Sequence, residues 1–387
     1  NIIYSLYEDH LGDIWVGTYG GGLNRFDRDR ERFSRYQHDP DDPNSISNDI
    51  IFTIYEDRDG NLWIGTLGGG MDRYDRDTDT FVHYIPAVQD PYSQPGKHVY
   101  TITEDRSGAL WIGTDKGLAR YDRQAEQFFR YQHDPSDPNS ISSNSVFYVL
   151  EDQHGAIWAA TTGGGLNRLE PSSGQITHYR NDPTDPQSLS HDDVFFLLED
   201  HTGLLWIGTM GGGLNQFDPQ SQSFIRHQHK SGNPDSLSND YINCLLEDRE
   251  GMLWIGTATK LNKYDRDKEK FAHIYPDPNT DESLSGNQAF SIYEDRHGEL
   301  WIGTENGLNH YNPETGKFVL YNHNPQNPDS LSDDWVIDIL EDRRGTLWIA
   351  TSGGGIDRFD HQNQRFIHHL QAPDDPMGWS QNQVNEI

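Results

Sequence analysis

The sequence predicts an all-β fold, a β-propeller of four-stranded antiparallel blades, on three observations: a repeat of 47–48 residues, a tryptophan at one phase of every copy, and strand-and-turn chemistry between the tryptophans. Trp15, Trp63, Trp111, Trp158, Trp206, Trp254, Trp301 and Trp348 are 48, 48, 47, 48, 48, 47 and 47 residues apart. Each has Glu-Asp seven and six residues before it, Gly three before and Thr three after. Copies fall near 1–48, 49–96, 97–143, 144–191, 192–239, 240–286, 287–333 and 334–379, and 380–387 begins a ninth copy or supplies a closing strand. Eight blades are expected in a single domain, with seven plus part of another as the alternative, because neighbour-only contacts leave the closing number open.

The second copy accounts for each element in order. Ile51-Phe-Thr-Ile-Tyr-Glu56 is rich in β-branched and aromatic residues and reads as a first strand. Asp57-Arg-Asp-Gly60 is turn chemistry, and Leu62-Trp-Ile-Gly-Thr66 follows as the second strand. Gly68-Gly-Gly70 makes the next bend because glycine accepts positive φ. Met71-Asp-Arg-Tyr-Asp75 is the third strand, and an Asp-x-Asp-Thr turn leads to the fourth, Thr80-Phe-Val-His-Tyr84. Apolar residues fall on both faces, so one meander must stack between two others. The repeated tryptophans read as structural wedges between blades.

Composition narrows the function. With 62 acidic against 30 basic residues, a net charge of −32 and pI about 4.7, the surface repels phosphate backbones and anionic lipid, which argues against nucleic-acid binding. No apolar run reaches the length of a membrane-spanning helix, so this region is not expected to insert in a membrane. The lone Cys244 excludes an internal disulfide. A chain that starts at Asn1, without methionine or signal peptide, reads as a piece of something longer.

The string Glu-Asp-x-x-Gly-x-Leu-Trp-Ile-Gly-Thr-x-x-Gly-Gly-Leu-Asn-Arg-Phe-Asp, preceded by Ser-Leu-Ser-x-Asn or close variants, resembles the two-component regulator propeller repeat. Strong matches are EDRHGELWIGTENGLNHYN from Glu294 to Asn312 and Ser330-Leu-Ser-Asp-Asp334, and all copies match at Glu-Asp, Gly, Trp and Thr. The resemblance implies a sensory ectodomain, periplasmic or extracellular, of a membrane-anchored bacterial histidine kinase or hybrid regulator. It implies ligand sensing without turnover, with oligosaccharides as a ligand class. It carries no catalytic or ligand-contact motif that can be transferred to individual residues.

Function is therefore sought where the copies differ. In a propeller, the link between blades and the turn between second and third strands share one rim. The position after the repeated Thr runs Tyr19, Leu67, Asp115, Thr162, Met210, Ala258, Glu305 and Ser352, and copies three, six and seven lose a residue and the triple glycine, bringing in Lys260. Six residues before each repeated Glu, near the mouth of the channel, stand Ile2, Ile50, His98, Ser145, Asp193, Tyr241, Gln288 and Trp335. The ligand-binding candidates are Trp335, Tyr241, His98, Gln288, Tyr19, Asp115, Lys97, Lys260 and Glu305. The irregular link 89–97, Gln-Asp-Pro-Tyr-Ser-Gln-Pro-Gly-Lys, beside His98 is the first of these.

The acidic links, such as His38-Asp-Pro-Asp-Asp-Pro-Asn-Ser-Ile-Ser-Asn48, could form calcium loops. Their spacing is not that of the Asp-x-Asp-x-Asp-Gly loop, and the favoured reading is structural: proline stiffening, Asp and Ser turn caps, and Ile46, Ile141 or Leu189 plugged into the blade edge. No metal or cofactor is expected.

Catalysis finds little support. The Glu-Asp pair recurs eight times at a turn, whereas a catalytic pair would be singular. Adjacent His368 and His369 point to opposite strand faces, and no Gly-x-Ser-x-Gly elbow or phosphate loop occurs. The blades match neither the tryptophan repeats of quinone-dependent dehydrogenases nor, without a discernible arginine triad, sialidase Asp-boxes. The expectation is a non-catalytic ligand-sensing module of a two-component protein, acting through a partner or a homodimer mate of the full receptor. The alternative is a secreted lectin-like or protein-binding scaffold.

Overall fold

The computed structural model describes residues 2–369 apart from 29, 87–89, 91, 95, 278 and 281. Its strands form eight four-stranded antiparallel sheets, each in sequence order, and the described residues contain no helix. The fold is an all-β propeller of eight blades, not seven. First strands Ile3–Glu8, Ile51–Glu56, Val99–Glu104, Val146–Glu151, Val194–Glu199, Ile242–Glu247, Ala289–Glu294 and Val336–Glu341 open blades one to eight. Among the described residues every blade draws its four strands from one contiguous stretch. Ile3–Glu8 holds the first inner position; 380–387, the candidate ninth copy or closing strand, lies outside the described residues.

The chain divides into two compact bodies, one with blades eight, one, two and most of three, the other with blades four to seven. In the first, blade eight packs directly on blade one: Arg28 Nη1 donates to Asp342 at 2.8 Å, and Arg343 N donates to Glu8 Oε2 at 2.7 Å. In the second, blades four to seven stack in series through their first strands.

Second strands such as Leu62–Thr66 and Leu205–Thr209 are buried along their whole length, because both faces meet another sheet. The glycine in that strand follows from the close approach: a Cβ on Gly65 would lie 2.7 Å from Val99 Cγ1 of the next blade, and one on Gly208 2.9 Å from Ile242 Cγ2. Blades four and eight carry Ala160 and Ala350 instead, both buried.

The eight repeated tryptophans are 0–2 % exposed. Trp15 meets Tyr74 of the next blade at a centroid distance of 4.9 Å, Trp63 meets Tyr121 at 5.6 Å, Trp158 meets Phe217 at 5.0 Å, Trp206 meets Tyr264 at 5.4 Å, Trp254 meets Tyr311 at 5.2 Å and Trp348 meets Phe26 at 5.0 Å. Trp111 is fully buried, and Trp301 stacks on His310 at 4.3 Å. Each indole N–H donates to the Asp of its own Glu-Asp pair, as from Trp15 to Asp9 at 2.8 Å and Trp348 to Asp342 at 2.8 Å. The Glu of the pair reaches back to the previous blade, where Glu56 accepts His10 N at 2.7 Å and Glu247 accepts His201 N at 2.7 Å.

Candidate functional site

The two sets of variable positions are tied together by main-chain hydrogen bonds. The residue after the repeated Thr donates to the residue that enters its own first strand: Tyr19 to Ile2 at 2.8 Å, Leu67 to Ile50 at 2.9 Å, Met210 to Asp193 at 3.1 Å, Ala258 to Tyr241 at 3.1 Å and Ser352 to Trp335 at 2.9 Å. It also bridges the entering residue of the following blade, as in Tyr19 with Ile50, Leu67 with His98 and Met210 with Tyr241. Turn glycines complete the staple, Gly68 and Gly70 both donating to the Lys97 carbonyl at 3.0 and 2.9 Å. Because backbone does the holding, side chains here are free to vary.

Where the candidates stand follows from this frame. In the first body Tyr19 is 46 % exposed, Trp335 48 %, and Lys97 and His98 are exposed. Lys97 lines a cavity of about 400 Å³ floored by Gly68, Gly69 and the link residues Asp39 and Pro43. In the second body Tyr241 is 51 % exposed and Gln288 is exposed. Lys260 sits with Nζ 4.6 Å from the ring centre of Tyr275. Glu305 spends both carboxylate oxygens on the backbone, accepting Asn287 N and Gln288 N at 2.8 Å each. Asp115 is half-buried. Of the irregular link, Gln89, Pro91 and Pro95 lie outside the described residues.

Sequence reasoning missed the residues that join these candidates. The first-to-second strand register slips between the first and third residues of the first strand, at Ile3/Ser5 and again at Ile51/Thr53. Such a bulge takes the second residue out of the ladder and re-aims it. That residue is Tyr4 in blade one and Phe52 in blade two, and with Tyr100, at the same position in the repeat of blade three, the rings join into a run: Tyr19–Tyr4 5.7 Å, Tyr4–Phe52 5.3 Å, Phe52–Tyr100 5.8 Å and Tyr100–His98 6.4 Å. Tyr4 is 37 % exposed, and burial together with the neighbouring Tyr19 pushes its phenol pKa up, keeping it neutral. Phe147 and Phe195 meet at 4.5 Å in the same way in the second body. The signal was present: the position four before the repeated Glu is aromatic in six copies of eight.

The acidic links form turns. Asp39 Oδ1 accepts Asp41 N at 2.9 Å, Asp42 Oδ1 accepts Asn44 N at 3.0 Å, and Ser45 Oγ accepts Asp39 N at 2.9 Å. Asn327 takes the place of Asp42 in another link and accepts Asp329 N at 3.1 Å without any charge. Ile46, Ile141 and Leu189 are buried at the blade edge. Histidines have local tasks: His38 Nδ1 donates to the Ile46 carbonyl at 2.9 Å, His368 Nε2 to the Ser330 carbonyl at 2.5 Å, while His369 stacks on Trp348 at 5.6 Å. Among the described residues no three His, Cys, Asp or Glu side chains converge as a metal site.

The sequence pattern described as the two component regulator propeller matches residues 1–20, 45–68, 93–116, 188–211, 236–259, 283–306 and 330–353; the copy around Trp158 is not among them. The chain is built from two-component regulator propeller repeats. Several chains of known structure share its fold. The extracellular domain assigned to the hybrid two-component system BT3049 of B. thetaiotaomicron aligns with TM-score 0.59 and 24 % identity over 96 % of this chain and 53 % of that one. The extracellular domain of the system BT4673 of the same organism aligns with TM-score 0.51 and 24 % identity over 95 % and 48 %. PorZ of Porphyromonas gingivalis, a surface component of its type-IX secretion system, aligns with TM-score 0.54 and 14 % identity over 95 % and 58 %. At such identities the likeness establishes the fold, and this regulator propeller spans about half the length of those solved chains. No curated protein matches it in sequence. No described helix is long and apolar enough to cross a membrane.

Proposed function

We propose that this regulator propeller is the non-catalytic ligand-sensing part of a larger bacterial signalling receptor, lying in the periplasm or outside the cell, and that it takes its ligand on the rim. The observation that carries this reading is the run of rings from Tyr19 through Tyr4, Phe52 and Tyr100 to His98, partly exposed beside candidate polar groups. Aromatic faces laid edge to edge in water suit a ligand with flat apolar faces and hydroxyl edges, which is the chemistry of an oligosaccharide. The net charge of −32 disfavours polyanionic ligands. Binding would be passed on through a partner or a dimer mate of the full receptor.

A thermal-shift screen of the folded chain against neutral and acidic oligosaccharides tests this. A ligand bound only by the folded state raises the transition by mass action. A saturable rise for one glycan class that is lost in Tyr4→Ala supports the reading. Silence across the panel, with capture of a protein partner instead, favours the scaffold reading.

A further inference from the structure

At the opposite ends of the strands from the rim, the Glu-Asp pairs form a series of sockets between blades. In four of them an arginine just after the third strand of one blade bridges that blade's Glu and the previous blade's Asp. Arg76 donates to Asp9 at 2.8 Å and Glu56 at 2.7 Å, Arg28 to Asp342 at 2.8 Å and Glu8 at 3.1 Å, and Arg266 to Asp200 at 2.6 Å and Glu247 at 2.5 Å. Arg123 lies 3.2 Å from Asp57 and 2.9 Å from Glu104. The Nε–H of Arg76 and Arg266 adds a bond to a turn carbonyl, Gly60 at 3.4 Å and Gly251 at 3.1 Å. Carboxylate, carboxylate and carbonyl thus match the fork of a guanidinium.

In blade seven the arginine is replaced by Pro313, and the oxygens remain. Glu294 Oε2 accepts Arg249 N at 2.9 Å, while Oε1, the atom type that takes Arg76 in blade two, makes no hydrogen bond. The Glu294 side chain is only 11 % exposed. Asp248 Oδ2 accepts the Trp254 indole at 2.7 Å, and Asp248 alone among the eight repeat aspartates is not fully buried. A cavity of about 540 Å³ opens over Trp254 and Tyr311 where the guanidinium would lie. Two cations line the cavity. Arg249, more than half exposed, holds its Nε 3.9 Å from Glu294 Oε2, as Arg58 and Arg343 do beside the filled sockets of Glu104 and Glu8. Lys263 holds its Nζ 5.1 Å from the Trp254 ring and pairs with no carboxylate within salt-bridge distance.

We propose that the cleft between blades six and seven is a binding site for an alkylguanidinium group, brought by a free small molecule or by an arginine side chain of a peptide. Glu294 and Asp248 hold the fork, and Trp254 covers its face, as Trp206 does for Arg266 at 5.8 Å. Four filled sockets in the same chain show what these residues ligate. The inference is independent of the rim reading, since the cleft uses none of the rim residues.

The test is calorimetric titration of the intact chain with agmatine and, separately, with the tripeptides Gly-Arg-Gly and Gly-Lys-Gly. Saturable binding of agmatine is expected, weakened about tenfold or more in Glu294→Gln, which keeps the acceptor for Arg249 N but loses the charge. Pro313→Arg should abolish binding and raise the melting temperature by filling the socket from within; if that variant fails to fold, Glu294→Gln decides. Tighter binding of Gly-Arg-Gly than of agmatine assigns the site to a peptide, and the reverse assigns it to a free ligand. No saturable binding up to about 10 mM, binding equal in Glu294→Gln, or equal binding of Gly-Lys-Gly overturns the proposal.

Discussion

The indole N–H of Trp206 donates to Asp200 Oδ2 at 2.7 Å, and the same oxygen accepts Nη1 of Arg266 from the next blade at 2.6 Å. One carboxylate thereby anchors its own blade's wedge and its neighbour's clasp. Burial raises the Asp200 pKa, and hydrogen bonds from Thr202, Trp206 and Arg266 outweigh it, bringing it down to about 2.

Replacing Trp206 by alanine should therefore cost about 3–5 kcal/mol, through the cavity and the lost interblade ring contact. Because the folded pKa of Asp200 is depressed, its stabilisation is present above its ordinary value of 3.8 and is lost as pH falls toward about 2. Denaturant unfolding of the parent, of Trp206→Ala and of Asp200→Asn at pH 7 and at pH 3 checks both points. A variant as stable as the parent at pH 7 would show that the carboxylate anchors nothing.

Much of this was legible in the sequence. The spacing of Trp15, Trp63 and their successors gave the copies, and Gly68–Gly70 marked a bend, whereas the close approach at Gly65 emerges only when the blades are stacked. The Glu-Asp pair was readable as structural from its recurrence, but its partners were not: Arg266 is 66 residues from Asp200, a separation that no local pattern signals. Tyr4, Phe52 and Tyr100 escaped notice because a strand with period-two alternation would face them like any other residue, and the bulge that re-aims Tyr4 and Phe52 leaves no glycine or proline as a mark.

On the rim, Trp335→Ala and Tyr241→Ala should leave the melting temperature nearly unchanged, since exposed positions typically shift stability by no more than about 0.5 kcal/mol. Tyr4→Ala removes contacts with Tyr19 and Phe52 and should cost about 1 kcal/mol while weakening ligand binding most. Thermal melts with and without a glycan that shifts the parent separate the two effects. A large stability loss for Trp335→Ala would make it a core residue.

For the links, Asp42→Asn should be neutral to within about 0.5 kcal/mol, because Asn327 already makes the same turn elsewhere in the chain. Ser45→Ala should cost about 1–2 kcal/mol, since its hydroxyl meets Asp39 N at 2.9 Å and the Asp42 carbonyl at 2.9 Å. Calcium should then leave the melting temperature where it is. A saturable rise with calcium, reversed by chelation and absent in Asp42→Asn, would mean that these carboxylates ligate a metal.

The last prediction concerns charge inside a blade. In blades one, four, five, six and seven the second residue of the Leu-Asn pair on the third strand is asparagine, but blade two has Asp72 there, opposite His83. His83 Nδ1 lies 2.8 Å from Asp72 Oδ1 and Nε2 lies 2.9 Å from the Pro43 carbonyl, two acceptors that an imidazolium, donating from both ring nitrogens, satisfies together. The hydrogen bond with Asp72 raises the His83 pKa against the opposing effect of burial. A raised folded value means that the stabilisation is full below the ordinary value of 6.5 and is lost as pH climbs through the folded pKa. The parent should therefore lose stability across that window, and Asp72→Asn should lose less, because its histidine no longer holds the proton. NMR titration of the His83 ring protons checks this directly: a midpoint above 6.5 in the parent that falls in Asp72→Asn is expected, and a midpoint at or below 6.5 in the parent would show the pair to be neutral.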